Sequence, residues 1–319
     1  MIIVTGGLGF IGSNVVHALN RHGQTNIVVV DDFTDGTKFI NITNAQIADY
    51  IDKDDFFTHI QRGYLTGDKI EVIIHQGACS TTTEWNGKFV MDNNFVYSKK
   101  LLHFAINNRI PFIYASSASV YGNGQIFIEK ECYEQPLNIY AYSKVLFDRY
   151  VCQQQSKINS QIVGLRYFNV YGPREQHKGN MASIVLQLRN QLRTDRIIRL
   201  FEGSNGFDNG EQRRDFIYIQ DVVDIILWFI EHPEKSGIFN VGTGRSQSFN
   251  EVALAMINFF GYGDIQYIPF PDHLQGRYQS FTEASISSLR AAGYNGKFRS
   301  VESGVYEYMN WLNETDIFP

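Results

Sequence analysis

A glycine-spaced turn directly after an apolar segment at the start of the chain most constrains its fold. Glycines stand at positions 6, 9 and 12 of the turn Thr5–Gly12, which follows the apolar run Ile2–Val4 and opens an amphipathic stretch, Phe10–Arg21. This spacing is typical of a strand that turns into a helix, where glycine permits a tight turn and close approach of the backbone to phosphate. The sequence therefore predicts an N-terminal βα unit that can hold a dinucleotide pyrophosphate.

The rest of the first half alternates short β-branched runs with helical periods. Further strand candidates are Ile27–Val30, Val72–His75, Phe112–Ala115 and Ile162–Arg166. This alternation indicates parallel strands joined by crossover helices. We predict an α/β fold, a doubly wound parallel Rossmann sheet with a smaller, discontinuous α/β substrate domain. In such sheets ligands bind at the carboxyl ends of the strands.

The pattern changes after Pro173 to loops and separate helices. Helices are predicted over Met181–Leu192 and Val301–Leu312, while a helix over Asp221–Glu231 and a strand over Phe239–Gly242 return to the sheet. We assign residues 1–171 and about 215–241 to the dinucleotide-binding domain, and residues 172–214 and 242–319 to the substrate domain.

Composition narrows the classes of partner. The 319 residues carry 28 Lys and Arg against 33 Asp and Glu, a formal net charge of -5, so no basic surface for nucleic acid is predicted. No apolar run approaches the roughly 18 residues that span a bilayer, and no signal segment is recognised, so we expect a cytoplasmic protein without a membrane partner. The three cysteines lack metal-ligand spacing, and no metal site is predicted.

A tyrosine and a lysine four residues apart are the candidate acid/base groups. Tyr140 has an ordinary pKa of about 10, and the charge of Lys144, one helical turn further on, favours the phenolate. Such a pair alone is common on helix surfaces. The segment Ala115–Gly122 follows a predicted strand, however, and its Ser117 offers a hydroxyl to hold a substrate oxygen. Together these groups indicate hydride chemistry on an alcohol.

The residues leave the choice of nicotinamide cofactor open. The second strand ends in Asp31 and Asp32, and an acidic side chain here typically accepts hydrogen bonds from the adenosine ribose of NAD. Lys38 follows closely and can instead meet the 2′-phosphate of NADP. Both cofactors fit this pattern.

The chain resembles the extended short-chain dehydrogenase/reductase superfamily through its glycine turn, Ser117, Tyr140 and Lys144. Within it, the chain is similar to the sugar-nucleotide epimerases that act at C6 of an ADP-bound heptose. The segments that carry this narrower similarity are Gln76–Ser80 with Thr83–Trp85, Met91–Asn94, Arg166–Arg174, His177–Gly179, Phe201–Ser204, Arg214–Phe216 and Gly276–Phe281. Of these, Arg166–Arg174 and Arg214–Phe216 are shared by many sugar-nucleotide epimerases and identify only the superfamily.

The resemblance implies a function, which we state as an expectation. The chain would convert ADP-D-glycero-D-manno-heptose to its L-glycero epimer by transient oxidation and reduction at C6, for the heptose donor of the lipopolysaccharide inner core. It would use tightly bound NADP, with NAD the less favoured cofactor, and form a homo-oligomer, by resemblance a pentamer.

The resemblance also implies roles for individual residues. The catalytic residues would be Tyr140 and Lys178, with Ser117 and Lys144. The cofactor would be bound by Gly6, Gly9, Phe10, Ile11, Gly12, Asp31, Asp32, Lys38, Lys53, Gln76, Gly77, Ala78, Cys79, Ser80, Asn93, Lys144, Val170 and Lys178. The substrate would be bound by Ser117, Asn169, Asn180, Gln187, Phe201, Glu202, Gly203, Ser204, Arg214 and Tyr278. Asn180 and Gln187 stand where the family often has Ser and His, and the polar loop Asn205–Gln212 is longer than expected.

Three other functions are weighed against this expectation. A sugar-nucleotide dehydratase generally carries an Asp-Glu pair just before the tyrosine that corresponds to Tyr121, and this chain has Ser119 and Val120 there. A 4-epimerase acting on another sugar nucleotide fits every superfamily motif, and only the narrower segments, Lys178 above all, separate it from the C6 epimerase. A cofactor-binding scaffold without activity is disfavoured by the intact acid/base set.

Overall fold

The computed structural model describes residues 1–65, 70–154, 159–271 and 279–315. The strands are β1 (Ile2–Thr5), β2 (Ile27–Asp31), β3 (Asp49–Asp52), β4 (Val72–His75), β5 (Phe112–Ser117), β6 (Ile162–Tyr167), β7 (Asn169–Tyr171), β8 (Ile197–Phe201), β9 (Arg213–Arg214), β10 (Phe216–Tyr218), β11 (Gly237–Val241), β12 (Gln247–Ser248) and β13 (Asp264–Ile268). The α-helices are α1 (Phe10–Arg21), α2 (Phe56–Gln61), α3 (Gly87–Met91), α4 (Tyr97–Asn108), α5 (Ile139–Gln153), α6 (Ile184–Asp195), α7 (Ile219–Glu231), α8 (Phe249–Phe260), α9 (Ser287–Ala292) and α10 (Val301–Thr315). Within the described ranges, no helix is long and apolar enough to cross a membrane.

A seven-stranded sheet confirms the predicted fold class. Its strand order is β3-β2-β1-β4-β5-β6-β11. Strand β3 pairs in parallel with β2, β2 with β1, β1 with β4, and β4 with β5. This is the order of a doubly wound Rossmann sheet, in which the direction of winding reverses between β1 and β4. The carboxyl ends of these two strands therefore flank the crevice where a ligand is expected.

Burial on both faces explains why the central strands are continuous apolar runs. Every residue of β1, β2, β4 and β6 is buried. Such runs are typical of parallel sheets covered by helices on each side. On one face, Leu101 and Leu102 of α4 and Phe147 of α5 pack in a single core with Phe112 of β5. The sequence did not predict strand β3, because its four residues are largely polar and only Ile51 is buried.

The chain divides into two compact units. The first consists of residues 1–120, 136–166 and 223–239, and the second of 121–135, 167–222 and 240–319. The sequence-based division kept segment 121–135 with the dinucleotide-binding domain. In the structure this segment is bound by Asn240, whose side chain accepts a hydrogen bond from the Tyr121 hydroxyl at 2.7 Å and donates one to the Phe127 carbonyl at 2.8 Å.

The second unit is built from three two-stranded sheets and surrounding helices. Strands β7 and β10 pair in parallel, as do β8 and β13, while β9 and β12 pair antiparallel. Helix α8 packs on α6 and α10. It begins with a capping box, in which Ser248 and Glu251 each bind the other's backbone N–H, and it ends at Gly261 in the left-handed region.

A buried histidine links the strands and helix beneath the crevice of the first unit. His75 Nδ1 lies 2.5 Å from Thr5 Oγ1, and its Nε2 lies 2.8 Å from Ser98 Oγ. Since the Ser98 hydroxyl donates its proton to the Asn94 carbonyl, Nε2 is the donor to Ser98 and Nδ1 accepts from Thr5. His75 is therefore neutral, and burial lowers its pKa to about 3.

This histidine makes a testable contribution to the pH dependence of stability. Its pKa is lowered in the folded protein, so its stabilisation is present above the unfolded pKa of about 6.5 and is lost as the pH falls below that value. Between pH 6.5 and 5.0 the loss is about 2 kcal/mol. The His75→Gln variant lacks this titrating group. Chemical denaturation should therefore show that the free energy of unfolding of the wild type falls by about 2 kcal/mol more than that of the variant over this range. Equal losses would contradict the assignment.

Candidate active site

The turn between β1 and α1 can be built only with glycine at two positions. Gly6 has a φ of +66°, and a Cβ there would lie 2.5 Å from the backbone nitrogen of Gly77. At Gly12 a Cβ would lie 2.1 Å from the Gly6 carbonyl oxygen. Gly9, at the N-cap of α1, provides no side-chain cap, and the first turn of α1 has no acidic residue. These first N–H groups are therefore a suitable cradle for a pyrophosphate.

The two acidic residues at the end of β2 have different surroundings. Asp31 is buried, and its carboxylate accepts hydrogen bonds from the backbone N–H groups of Leu8 at 2.8 Å and Asp32 at 2.7 Å. Asp31 thus holds the glycine turn in place. The Asp32 side chain is 40% exposed, and hydrogen bonds from Thr34 lower its pKa. Asp32 is therefore the ionised carboxylate that is more open to a ligand.

Two lysines extend this acidic pair into a mixed-charge cluster. The Lys38 ammonium donates to Asp31 at 3.3 Å and to the Asp32 carbonyl at 2.9 Å. The Lys53 ammonium donates to Asp54 at 2.9 Å and lies 3.9 Å from the Asp32 carboxylate. The cluster can meet either a ribose hydroxyl, through Asp32, or a phosphate, through the lysines.

A cavity of about 150 Å³ joins this cluster to the crevice between β1 and β4. It is lined by Thr5, Gly6, Val30, Asp31, Asp32, Lys38, Lys53, Gly77, Ala78, Cys79, Phe89, Asn93 and Tyr97. Predicted cofactor residues from five separate segments therefore line one cavity. The sequence analysis missed Thr5, Val30, Phe89 and Tyr97, and the two aromatic residues offer faces on which a nucleotide base can stack.

A π-helical turn, Asp92–Val96, supports one wall of this cavity. Asn93, a predicted cofactor residue, lines the cavity and donates to the Phe89 carbonyl at 2.8 Å. Its neighbour Asn94 is buried and was not predicted. The Asn94 side chain accepts from the Cys79 backbone N–H at 2.8 Å and donates to the Cys79 carbonyl and the Ser143 hydroxyl, both at 3.0 Å. Asn94 thereby ties the segment after β4 to helix α5.

Helix α5 carries the predicted acid/base pair. The helix begins beside Asn138, whose side chain accepts from the Ala141 backbone N–H at 2.8 Å. Tyr140 therefore stands in the first turn, next to the end of β5, where Ser117 hydrogen-bonds its phenol. The Lys144 ammonium lies 5.9 Å from the centre of the Tyr140 ring and donates to the Ala115 carbonyl at 2.9 Å. The structure brings the three predicted residues of this unit together.

Burial opposes the charged forms of both groups. It raises the pKa of Tyr140, and the hydrogen bond with Ser117 lowers it. Burial lowers the pKa of Lys144 to about 8, and the negative charge of Asp148 acts in the opposite direction. Tyr140 can therefore accept a proton at neutral pH only as the phenolate, which further positive charge nearby, such as that of an oxidised nicotinamide, would favour.

In the second unit, a short 3₁₀ turn, Gln176–Met181, carries Lys178. The turn is anchored by the buried carboxylate of Glu175, which accepts from the backbone N–H groups of Gly172 and Ser183 and from the Ser183 hydroxyl. Burial lowers the pKa of Lys178, while the charge of Glu175 opposes that effect. A lysine with a lowered pKa is a candidate proton donor or acceptor. Glu175 was not predicted as a site residue.

Two predicted substrate residues follow on this turn and on α6. Asn180 is exposed. The Gln187 side chain donates to the Ala182 carbonyl at 2.9 Å and to the Asn180 carbonyl at 3.4 Å. Gln187 therefore holds the backbone of the turn through its amide nitrogen, which leaves its amide oxygen as the group for a ligand. The start of α6 at Ile184, later than predicted, follows from Ser183, whose hydroxyl accepts the Leu186 N–H.

The remaining predicted residues of the second unit, Val170 for the cofactor and the others for the substrate, lie on loops and short strands. Val170 and Asn169 are in β7, Phe201 ends β8, and Glu202, Gly203 and Ser204 follow it. The side chain of Gln212 donates to the Glu202 carbonyl at 3.0 Å and to Ser204 at 3.1 Å, so the polar loop 205–212 closes on this segment. Tyr278 lies outside the described residues.

Arg214 is buried in β9, with its guanidinium 5.7 Å above the Phe249 ring. The neighbouring Asp215 accepts from the backbone N–H groups of Thr243, Gly244 and Ala284. Burial raises the pKa of Asp215 to about 6, and those N–H donors counteract the effect. Asp215 therefore holds two loops, at Thr243–Gly244 and at Ala284, beside Arg214. The Arg214–Phe216 motif alone did not predict this role.

The chain is similar in sequence and in fold to known proteins. The model of the NAD dependent epimerase/dehydratase family matches residues 2–242. The chain is 56% identical over 310 residues, 97% of each chain, to the ADP-L-glycero-D-manno-heptose-6-epimerase of Alkalilimnicola ehrlichii. Among solved structures it is similar to that of the Helicobacter pylori ADP-L-glycero-D-manno-heptose-6-epimerase, with 32% identity, a TM-score of 0.85 and coverage of 98% and 96%. It is also similar to a UDP-N-acetylglucosamine 4-epimerase from Methanobrevibacter ruminantium, with 25% identity, a TM-score of 0.84 and 98% coverage of both chains.

Proposed function

Because the chain belongs to the NAD dependent epimerase/dehydratase family, we propose that it interconverts ADP-D-glycero-D-manno-heptose and ADP-L-glycero-D-manno-heptose by inversion at C6. The observation that carries the proposal is the 56% identity, over 97% of both chains, to a heptose-6-epimerase. The product would serve as heptose donor for the lipopolysaccharide inner core. The protein would act in the cytoplasm as a homo-oligomer, a pentamer by resemblance.

The first unit supports the oxidation half of this reaction. A nicotinamide cofactor bound there would supply the hydride acceptor for oxidation and the hydride donor for reduction. Ser117 would hold the C6 hydroxyl, and the Tyr140 phenolate would take its proton, while the cationic Lys144 stabilises the phenolate. The cradle at Gly6 and Gly12, which any Cβ would fill, supports the binding of the dinucleotide pyrophosphate.

Inversion requires a second acid/base group. After oxidation, rotation about the C5–C6 bond would present the other face of the C6 carbonyl to the same reduced cofactor. The oxygen then occupies a different position, so one group cannot easily serve both poses. We assign the second role to Lys178, whose lowered pKa suits proton transfer.

This assignment predicts two inactive variants. Tyr140→Phe and Lys178→Met should each lose about 10²–10⁴-fold in kcat, the usual contribution of a general acid or base. Tyr142→Phe on the same helix, where the ring is 47% exposed, and Lys235→Met are the matched controls and should retain activity. If Lys178→Met keeps its kcat and only raises KM, Lys178 binds phosphate or solvent and is not a catalytic residue.

The same site predicts the cofactor that co-purifies with the protein. We propose NADP, with its 2′-phosphate bound by Lys53 and Lys38. Denaturing the purified protein should release NADP, and Lys53→Met should shift the bound nucleotide toward NAD by about 10-fold or more, the loss of one charged hydrogen bond. Lys235→Met, which does not line the cavity, should leave the ratio unchanged. Release of NAD alone from the wild type would refute the assignment.

The route of inversion predicts an isotope result. In direct oxidation at C6, the hydrogen removed from carbon is returned to it and does not exchange with solvent. Equilibration of ADP-D-glycero-D-manno-heptose in deuterated water should therefore give the L-glycero product without deuterium at C6, as measured by NMR and mass spectrometry. Stoichiometric deuterium at C6 would refute direct oxidation.

The substrate itself separates the proposed function from the 4-epimerase alternative. Turnover of a UDP-hexose at C4, with no turnover of the ADP-heptose, would favour the 4-epimerase.

A further inference from the structure

One face of helix α5 carries a third titratable residue in line with the acid/base pair. Tyr140, Lys144 and Asp148 follow one another at intervals of four residues, so they stack along the same face. Lys144 is 4% exposed and Asp148 is 1% exposed. The proposed reaction uses the first two residues and gives no role to Asp148.

The Asp148 carboxylate is fully engaged by buried groups of the first unit. The Tyr114 hydroxyl donates to its Oδ1 at 3.0 Å, while the Ser116 hydroxyl at 2.8 Å and the Arg166 Nε at 2.9 Å donate to its Oδ2. Arg166, Tyr114 and Ser116 are each at most 2% exposed. The carboxylate is therefore held in one position, with its charge screened very little by water.

Stability alone is a weak reason for such a pair. Burial of two opposite charges costs desolvation energy that their attraction often fails to recover, and well-packed apolar residues in their place are frequently neutral or stabilising. A buried carboxylate one turn from a buried ammonium does, however, have an electrostatic consequence. It favours the charged form of that ammonium.

We propose, on the basis of the function proposed above, that Asp148 is a positioning residue that keeps Lys144 protonated beside Tyr140. Burial lowers the pKa of Lys144 to about 8. Two groups raise this pKa, and Asp148 has a larger effect than Cys79. Tyr140 and His75 are the other titratable groups near the ammonium. Without the Asp148 charge, Lys144 would lose its proton near neutral pH.

The influence of Asp148 on the phenol passes through Lys144. The Lys144 ammonium lies 5.9 Å from the centre of the Tyr140 ring, whereas Asp148 stands one helical turn further along α5. Deprotonation of Lys144 would remove a cation from the side of the phenol and would so disfavour the phenolate. A change at Asp148 should therefore affect catalysis most at a pH where it changes the charge of Lys144.

The test is a direct titration of Lys144 in the purified protein. In protein labelled with [ε-¹³C]lysine, the Lys144 resonance is identified by its loss in Lys144→Met, and its midpoint is measured by NMR. We expect the midpoint in Asp148→Asn to be lower than in the wild type by about one pH unit or more. Tyr114→Phe is the matched control, since it removes a hydrogen bond from the same carboxylate and keeps the charge, and its midpoint should stay near that of the wild type.

A second variant guards against misfolding, because Asp148→Asn leaves the buried Arg166 without its carboxylate. In Asp148→Asn/Arg166→Gln neither charge remains, and the Lys144 midpoint should fall by less than in the single variant, because loss of the Arg166 cation offsets part of the loss of the carboxylate. An unchanged midpoint in a folded variant of either kind would overturn the proposal. This titration requires no turnover, so its result is independent of whether the proposed epimerase activity is correct.

The pH dependence of kcat separates a positioning role from a structural one. If the midpoint falls from about 8 to about 7, kcat relative to the wild type should decrease about five-fold at pH 8 and hardly at pH 6. The decrease follows from the smaller fraction of protonated Lys144. An equal loss of kcat at both pH values would assign Asp148 to the scaffold alone.

Discussion

The close approach of two backbone turns, after β1 and after β4, is the constraint on which the first unit depends. At Gly6 a single added carbon would meet the Gly77 backbone at 2.5 Å, so no other residue allows the two turns to meet. Side chains beneath them fix this contact. Thr5 accepts the Gly77 N–H at 3.4 Å and binds His75, and Asp31 holds the Leu8 N–H. Hydrogen bonds to side chains beneath the turns therefore hold them at the N-terminus of α1, which is suited to an anionic ligand.

The proposed chemistry requires positive charge in places where burial opposes it. The two units meet this requirement with different means. In the first, Lys144 has a buried carboxylate one turn away, itself paired with Arg166. In the second, Glu175 is held by backbone N–H groups and the Ser183 hydroxyl, and its charge acts on Lys178. Backbone donors restrain a carboxylate without introducing a competing cation, and here they counteract the burial that raises the pKa of Glu175.

Features encoded by neighbouring residues were predicted well. The glycine turn, helix α1 with its bounds Phe10–Arg21, and the core strands follow from local periodicity, and the Tyr140–Lys144 spacing places both groups on one helix face. The supporting residues have no such local signal. Asp148 meets Tyr114 across 34 residues, Asn94 meets Ser143 across 49, and Tyr121 meets Asn240 across 119. Each of these contacts exists only after the chain has folded, so the pattern of the sequence does not reveal it.

The charge cluster at the end of β2 explains why the sequence does not decide between NAD and NADP. It also indicates which lysine can bind a phosphate more readily. The cluster contains two acidic residues and two lysines, so the number of charges does not distinguish NAD from NADP. Their surroundings differ. Lys38 is tied to the buried Asp31 and to a backbone carbonyl. Lys53 is paired with Asp54, whose side chain is 80% exposed, and such an exposed pair contributes little stability. Lys53 can therefore exchange its partner for a ligand phosphate at small cost, whereas moving Lys38 would disturb the carboxylate that holds the glycine turn.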